Sequence, residues 1–381
     1  MKILIASDSF KGSATTMEVA DNIAKGLLRV CPEIEIEKLP VADGGEGTVE
    51  TLVAGMDGDF VQVEVTGPLG ERVKAKYGII DDGMAIIEMA EASGLVLVDE
   101  EMRNPTLTTT YGTGELILSA LERGLKRIYV GIGGSATNDG GMGMARALGY
   151  RFLDRDGNEL PDGGGSLGQL DRIEVANVMP LLKDARITVM CDVENPLFGP
   201  DGAAFVYGPQ KGADPDMVQL LDENLRHFSE ILIRDMNADV AGIPGSGAAG
   251  GLGGGLMAFC GAELKPGIEM VLDILNFDGH LQDVDLVVTG EGRIDGQSAK
   301  GKVPAGIAKR AKKLNKPLVA IAGGVGEGAE GLYSIGIDLI LPIVDGPMEL
   351  RQAMDEVEML LEKTGERLAR IIGLNEKLKL G

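Results

Sequence analysis

The sequence is poor in the residues that many catalytic and metal sites use. It has no tryptophan, two histidines and three cysteines among 381 residues. The cysteines at positions 31, 191 and 260 are far apart and odd in number, a pattern typical of a reducing compartment and without metal-ligand spacing. With His227 and His280 as the only histidines, we expect neither a Ser-His-Asp or Cys-His nucleophile nor a catalytic zinc ion.

Positive charge is also scarce. The chain has 36 Lys and Arg residues against 59 Asp and Glu residues, which gives a formal net charge of -23, and no basic stripe offsets it. Nucleic acid phosphates and anionic membrane surfaces repel such a chain, so we expect neither among its partners. A small anionic ligand would have to be held by a few local cations.

Long apolar segments are missing as well. The apolar run at the start is too short for a signal peptide and predicts a first strand. The uncharged stretch 240–262 is long enough to cross a bilayer, but nine of its 23 residues are glycine and one is proline, so it lacks helix propensity and apolar surface. We therefore expect a buried glycine-rich loop and helix there, and a cytoplasmic protein.

Glycine, in contrast, is abundant: the 57 glycines are about twice the usual share of about 7%. The densest cluster, residues 131–143, follows an apolar run and precedes a predicted helix. Its first six residues match the dinucleotide pattern G-x-G-x-x-A, and Asp154 lies at about the distance of a ribose-binding acid.

A second glycine group at 140–143 makes this loop longer than the tight turn that the dinucleotide pattern needs. We therefore favour an anion-binding loop, in which backbone amides together with Ser135, Thr137 and Asn138 hold phosphates. Tight packing of the strand against the helix is the alternative explanation for the glycines.

The order of predicted elements indicates an α/β fold with parallel sheets. Apolar runs predict strands at 2–7, 85–89, near 127, 186–192, 285–289, 317–322 and 338–344, and the alternation of isoleucine with charged residues predicts another at 33–39. Segments 60–66 and 72–80 alternate and predict an antiparallel pair. Helical patterns occur at 15–30, 48–54, after 114, after 143, and at 215–236, 303–314 and 348–372. Because the βαβ rhythm of the start returns near the end, we expect one α/β domain made from both chain ends, with a second domain inserted, and ligands in the cleft at the carboxyl ends of strands.

Three acidic residues follow predicted strands, where α/β enzymes place ligands. Asp8, Asp43 and Asp192 could each hold Mg²⁺ or accept a proton from an attacking hydroxyl. Each could instead be a helix cap or a turn residue. The sequence has few histidines but several carboxylates at strand ends. This set of residues fits phosphoryl transfer, which needs positioning, a divalent ion, cations and one carboxylate near the acceptor hydroxyl.

Cations for an anionic ligand are concentrated in the segment 293–302. Residues 296–302 come close to the P-loop pattern, but Val303 replaces the hydroxyl residue that binds Mg²⁺, and the preceding strand ends too early. The segment still carries Arg293, Lys300 and Lys302, either as ligands for an anion or as solvated lysines.

The motifs together resemble the type I glycerate kinases of bacteria. The matching stretches occur in the family's order over nearly the whole chain, at 8–13, 42–48, 110–116, 133–141, 192–197, 208–213, 245–255 and 290–295. The resemblance implies a Rossmann-like domain from residues 1–60 and 265–381 and an inserted flavodoxin-like domain from 61–264. It also implies ATP-dependent phosphorylation of D-glycerate, with 2-phosphoglycerate as the product, and we add a homodimer as an expectation.

The roles of single residues are our own hypothesis within this resemblance. We expect the phosphates of ATP on the nucleotide-binding residues Gly133, Gly134, Ser135, Asn138 and Lys211. For the glycerate carboxylate we expect Lys11 or Arg293, with Asp8 and Ser9 also binding the substrate. Asp192 or Asp43 would bind Mg²⁺ or take the hydroxyl proton, with Asp192 as the metal ligand.

Two other classes of function stay open at this point. An NAD-dependent hydroxy-acid dehydrogenase would use the pattern at 131–136 together with Asp154, although it lacks a suitable histidine near a strand end. A non-catalytic nucleotide sensor would require that the strand-end carboxylates be structural caps.

Overall fold

The computed structural model describes residues 1–45, 47–81, 83–299 and 301–378. These residues form two compact units. The first unit comprises Met1–Asp43 and Ile268–Gly381, and the second comprises Gly44–Gly267. The mixed α/β architecture with parallel sheets that the sequence predicts is confirmed.

The helices and strands follow each other in chain order. The first 43 residues contain β1 (Lys2–Ile5), α1 (Thr16–Val30) and β2 (Glu35–Lys38). The second unit begins with α2 (Thr48–Gly55), β3 (Asp59–Thr66), β4 (Arg72–Ile80), β5 (Met84–Glu88), α3 (Ala90–Ser93), α4 (Tyr111–Glu122), β6 (Arg127–Gly131) and α5 (Met142–Ala147). It continues with β7 (Arg151–Leu153), β8 (Arg172–Glu174), β9 (Arg186–Met190), α6 (Ala203–Tyr207), α7 (Pro215–Met236), α8 (Leu252–Cys260) and β10 (Glu263–Lys265).

The remaining elements begin at the unit boundary. They are α9 (Gly267–Ile274), α10 (Phe277–His280), β11 (Leu286–Ile294), α11 (Val303–Lys313), β12 (Leu318–Val325), α12 (Gly331–Ile335), β13 (Leu339–Pro342), α13 (Leu350–Asp355) and α14 (Val357–Leu378). The helix predicted at 348–372 is therefore two helices with a break at Glu356.

The sheet of the first unit has five parallel strands in the order β13-β12-β11-β1-β2. The chain moves outward from β11 in one direction and from β1 in the other, so the strand order reverses between these two strands. Crevices at the carboxyl ends of strands beside such a reversal are where open α/β sheets bind ligands. Helices α1 and α14 pack closely because Gly26 and Gly365 allow the two backbones to touch.

The main sheet of the second unit has six strands in the order β10-β9-β6-β5-β4-β3. The four strands β5, β6, β9 and β10 are parallel, and β3-β4-β5 are antiparallel, as the alternating pattern at 60–66 and 72–80 predicts. The short pair β7 and β8, which the sequence does not predict, forms a separate antiparallel ribbon.

The unit boundaries lie at 43/44 and 267/268, whereas the sequence placed the domain boundaries at 60/61 and 264/265. The first difference has a clear cause. Helix α2 packs on β4 and β5 of the second unit, where Gly78 leaves room for Val49 and Val53. Its apolar face therefore belongs to the second sheet, although the sequence placed it with the first domain.

The uncharged stretch 240–262 forms turns followed by the nine-residue α8. Among the described residues, no helix has both the length and the apolar character needed to cross a bilayer.

Candidate active site

The first unit has a pocket of about 730 Å³ at the carboxyl ends of its strands. Its polar lining includes the predicted residues Asp8, Ser9, Lys11, Asp43 and Arg293. These residues lie far apart in the sequence, and the parallel sheet brings them together because β1 and β11 are neighbours and end at the same edge.

Asp8 follows β1 and is held at the floor of this pocket. Its backbone N–H donates to the carbonyl of Gly290, and its Oδ1 accepts a 2.7 Å hydrogen bond from the Ser9 N–H. The side chain is 9% exposed. Burial, reinforced by the nearby charge of Asp43, raises the pKa of Asp8 to about 6, against the opposing effect of the Ser9 hydrogen bond.

Glu291 is a pocket residue to which the sequence analysis assigns no role. It lies on β11, and its carboxylate forms an ion pair with Lys302 and accepts a hydrogen bond from the Ser298 hydroxyl. Burial raises the pKa of Glu291, whereas Lys302 lowers it. The only sequence feature that could have pointed to Glu291 is its place in the segment 290–295. In the structure, Glu291 is the third carboxylate of the pocket, with Asp8 and Asp43.

The pocket cations differ in how they are held. Lys11 is exposed on the turn 10–14, which Gly12 permits with a φ of +79°. Arg293 has a side chain that is 74% exposed and donates from Nε to Asp295 at 3.2 Å. Lys302 pairs with Glu291, and Lys300 lies outside the described residues. Lys11 and Arg293 are therefore the cations whose side chains extend into solvent.

The glycine loop of the second unit divides into an exposed and a buried half. Gly133 and Gly134 are exposed, and their N–H groups donate to no described residue. A Cβ at Gly133 would touch nothing within 4 Å, and Gly134 has a φ of +73°. The carbonyl of Gly134 accepts a hydrogen bond from the N–H of Leu95, which ties the loop to the segment after α3. The end of β6 is thus followed by two exposed glycines whose N–H groups have no acceptor among the described residues.

The second half of the loop serves packing. Asp139 is fully buried, and it accepts hydrogen bonds from Thr110 and from the N–H groups of Gly141 and Gly143. Burial raises the pKa of Asp139, and these donors oppose the shift. A Cβ at Gly140 would collide with Phe228. Packing therefore accounts for the glycines in this half of the loop, and anion binding stays a prediction for the exposed half.

Lys211 lies beneath the exposed half and is 1% exposed. Its Nζ donates to Ser135 Oγ at 2.7 Å and to the carbonyl of Thr137 at 2.7 Å. Burial lowers the pKa of Lys211 to about 7, and the charge of Asp139 opposes this shift. Asn138 is also fully buried, and its amide atoms have no hydrogen-bond partner among the described residues.

Asp192 follows β9 in the second unit and is exposed. Its Oδ1 accepts a 2.9 Å hydrogen bond from the N–H of Gly267, the first residue of α9. The carboxylate thus stands at a strand end, as predicted, and also caps a helix. Among the described residues, no group of three or more His, Cys, Asp or Glu side chains could hold a metal ion.

The structure disfavours the dinucleotide interpretation of this loop. Ten residues separate β6 from α5, so the tight strand-to-helix turn is absent. Asp154 follows β7 of the small ribbon, and its Oδ1 accepts from the N–H groups of Asp156 and Asn158 within a turn. His227 and His280 contact Leu170 and Glu37 respectively, and neither is hydrogen-bonded to the described residues of the loop.

Comparison with known proteins identifies what this arrangement is similar to. The family model described as the glycerate kinase family matches residues 3–373. The glycerate kinase of Halalkalibacterium halodurans is 49% identical over 375 residues, which cover 98% of this chain and 99% of the relative. The glycerate 2-kinase of Escherichia coli K12 is 52% identical over 345 residues, which cover 90% of this chain and 91% of the relative.

A solved structure agrees with the sequence relatives. A crystal structure from Salmonella typhimurium LT2, of a protein assigned as glycerate kinase 2, superposes with a TM-score of 0.91 at 46% identity. The match covers 99% of both chains. These similarities support a kinase over a dehydrogenase.

Proposed function

Because the chain belongs to the glycerate kinase family, we propose that it transfers the terminal phosphoryl group of ATP to D-glycerate and releases ADP. We take the hydroxyl on carbon 2 as the acceptor, so that the product is 2-phosphoglycerate. The name of the Escherichia coli relative, glycerate 2-kinase, supports this choice of hydroxyl.

The observation that carries the proposal is the mixed charge of the first-unit pocket. Three carboxylates and three cations, Asp8, Asp43, Glu291, Lys11, Arg293 and Lys302, line one pocket. A substrate with one carboxylate and two hydroxyls needs both signs, since cations bind the carboxylate and carboxylates accept from the hydroxyls. We assign the glycerate carboxylate to Lys11 or Arg293, whose side chains are exposed, and a substrate hydroxyl to Asp8 and Ser9.

For ATP we propose the exposed half of the glycine loop. The N–H groups of Gly133 and Gly134 have no acceptor in the part of the chain that the structure describes, and Ser135 lies beside them. These groups are suited to phosphate oxygens, because backbone donors bind an anion without adding side-chain bulk. Lys211 and Asn138, which are buried below the surface of the loop, complete the group that the sequence indicated.

Mg²⁺ is compatible with this chemistry although the described residues contain no three-ligand group. Magnesium in phosphoryl-transfer sites commonly takes one or two protein carboxylates, with phosphates and water as the other ligands. We propose Asp192 as a protein ligand, and the ion would neutralise phosphate charge. Asp192→Asn keeps an oxygen that can cap α9, so we expect an intact fold with turnover abolished; near-normal activity of this variant would contradict the assignment.

The transfer itself is a displacement at phosphorus. The glycerate hydroxyl oxygen forms a bond to the γ-phosphorus, the bond from that phosphorus to the β–γ bridging oxygen breaks, and ADP leaves with the electron pair. The hydroxyl proton passes to a carboxylate, for which we propose Asp43 because it lines the pocket beside Asp8.

One assay distinguishes the candidate activities. The purified chain is incubated with ATP, Mg²⁺ and D-glycerate, and ADP formation is followed; a second reaction contains NAD and the same acid, and the absorbance of the reduced cofactor is followed. We expect ADP formation that depends on D-glycerate and no reduction of NAD. Reduction of NAD without ADP formation would support the dehydrogenase, and binding of ATP without either product would support a nucleotide sensor.

A further inference from the structure

A buried ammonium below an exposed phosphate-type loop requires an explanation. Lys211 belongs to the short turn Pro209–Lys211 and is almost completely removed from solvent. Burying a charge in this way is costly unless the charge is paired, and the two oxygens that Lys211 contacts, Ser135 Oγ and the Thr137 carbonyl, are neutral. A purely structural brace between these two oxygens would not need a positive charge.

The hydrogen bond to Ser135 fixes the direction of the serine hydroxyl. An ammonium has only donors, so when Lys211 is charged, Ser135 Oγ is the acceptor in this bond. The hydroxyl proton of Ser135 is then left to donate, and Ser135 Oγ has no other hydrogen-bond partner among the described residues. Its neighbours Gly133 and Gly134 present two further unused donors.

We propose that Lys211 is a positioning residue that turns the Ser135 hydroxyl outward as a donor and supplies a buried counter-charge for a phosphate held on the segment 133–135. The inference rests on the proposed function, because it takes the ATP phosphates as the anion. Lys211 acts through Ser135 and through its field, and it does not need to touch the phosphate.

The charged surroundings of Lys211 make this proposal sensitive to pH. Asp139 is the charged group whose field favours the ammonium, Arg103 lies against the adjacent Gly212, and Tyr207 of the packed helix α6 donates to Asn195. With a pKa of about 7, Lys211 is mostly neutral at pH 8 in the ligand-free chain. A bound phosphate favours the charged form, so binding takes up a proton and becomes weaker as the pH rises above 7.

The test measures binding and protons separately from turnover. The imido analogue of ATP is titrated with Mg²⁺ into the full chain by calorimetry at pH 8, in two buffers of different ionisation enthalpy. We expect the wild type to take up about one proton per analogue bound, and Lys211→Met to take up none. We also expect Lys211→Met to bind about 10- to 100-fold more weakly at pH 7, the loss typical for a hydrogen bond involving a charged group.

Two further variants separate positioning from folding. Lys183→Met removes an exposed lysine of the same unit and should change neither the dissociation constant nor the proton count. Lys211→Arg keeps the charge at every pH, so a folded variant should bind the analogue with little dependence on pH between 7 and 9. Equal proton uptake in the wild type and in Lys211→Met, or equal affinity of the two, would overturn the proposal.

The failure of the proposed function would look different. A wild type that takes up the proton on binding the analogue but forms no ADP with D-glycerate would contradict the kinase proposal and still support the role of Lys211. A wild type that is active, with proton uptake unaffected by Lys211→Met, would do the opposite.

Discussion

The two units offer an anion two different environments. The pocket of the first unit is rich in side-chain charge: three carboxylates and three cations line it, and burial shifts the pKa of Asp8 into the range near 6. The loop of the second unit presents uncharged backbone at its surface, and the side chain of Lys211 is buried beneath it.

The difference suggests that phosphate binding and proton transfer use different units. Backbone amides do not themselves titrate, and they leave room for phosphate oxygens because glycine has no side chain. Proton transfer and recognition of a small acid require groups that titrate and carry both signs. Under the proposed function, a chain with a net charge of -23 would hold anions at two places by different means.

The largest effect is expected when the proposed proton acceptor is removed from the first unit. In Asp43→Asn, kcat should fall about 10²- to 10⁴-fold, because the amide cannot take the hydroxyl proton. The affinity for the imido analogue of ATP should stay near that of the wild type. Asp283→Asn, an exposed change in the same unit just before β11, is the matched control. A variant at Asp43 with normal kcat would remove it from the mechanism.

Asp8 tests the cost of burying charge in the first-unit pocket. Because its pKa is raised in the folded chain, folding favours the protonated carboxyl and the ionised form destabilises the fold above pH 6. Asp8→Asn should therefore stabilise the chain at pH 8 by up to about 3 kcal/mol, and this gain should shrink to about 0.5 kcal/mol near pH 4, where the carboxyl is protonated in the folded state and about half ionised in the unfolded state. The variant should also bind D-glycerate more weakly.

Thermal unfolding of Asp8→Asn and the wild type at pH 8 and pH 4 provides the measurement. A variant that is less stable than the wild type at pH 8 would show that the carboxylate of Asp8 is well compensated in the pocket.

Gly134 tests the loop of the second unit. Its φ of +73° is strained for any other residue, and a Cβ would come within 3.3 Å of Ala90. Gly134→Ala should shift the amide and raise KM for ATP about 10-fold, equivalent to one lost hydrogen bond. Gly124→Ala has the same backbone strain, with a φ of +81° and no neighbour within 4 Å, and should leave KM unchanged. Steady-state kinetics of both variants decide whether position or strain matters.

The smallest effect is expected at Asp154. If this residue only closes the turn with Asp156 and Asn158, Asp154→Ala should lower the melting temperature slightly and leave the kinetics with ATP unchanged. A large rise in KM for a nucleotide would revive the ribose-binding interpretation.

Much of the fold could be predicted because local patterns and tertiary packing agree. Alternation in 60–66 and 72–80 predicts β3 and β4, and the amphipathic segment 215–236 coincides with α7. The structure differs where packing between distant segments decides. Helix α2 joins the second unit through contacts of Val49 and Val53 with β4, and no local pattern reveals this.

The site was predictable only at its strand ends. Asp8 and Asp43 follow strands, so topology alone places them at one edge of the sheet. The pairing of Glu291 with Lys302 depends on how the loop after β11 folds back. The burial of Lys211 could not be predicted either, because a lysine in a Gly-Pro-Gln-Lys-Gly segment is ordinarily exposed.

The central proposal is that the backbone N–H groups of Gly133 and Gly134 bind the nucleotide, and NMR tests this contact most directly. In a sample labelled with ¹⁵N-glycine, the amide signals of Gly133 and Gly134, assigned through alanine variants, are followed while the imido analogue of ATP is added with Mg²⁺. We predict large shifts of these two signals and none for the exposed Gly124. Unchanged signals at 133 and 134, with shifts confined to Gly292 and Gly324 of the first-unit pocket, would contradict the account.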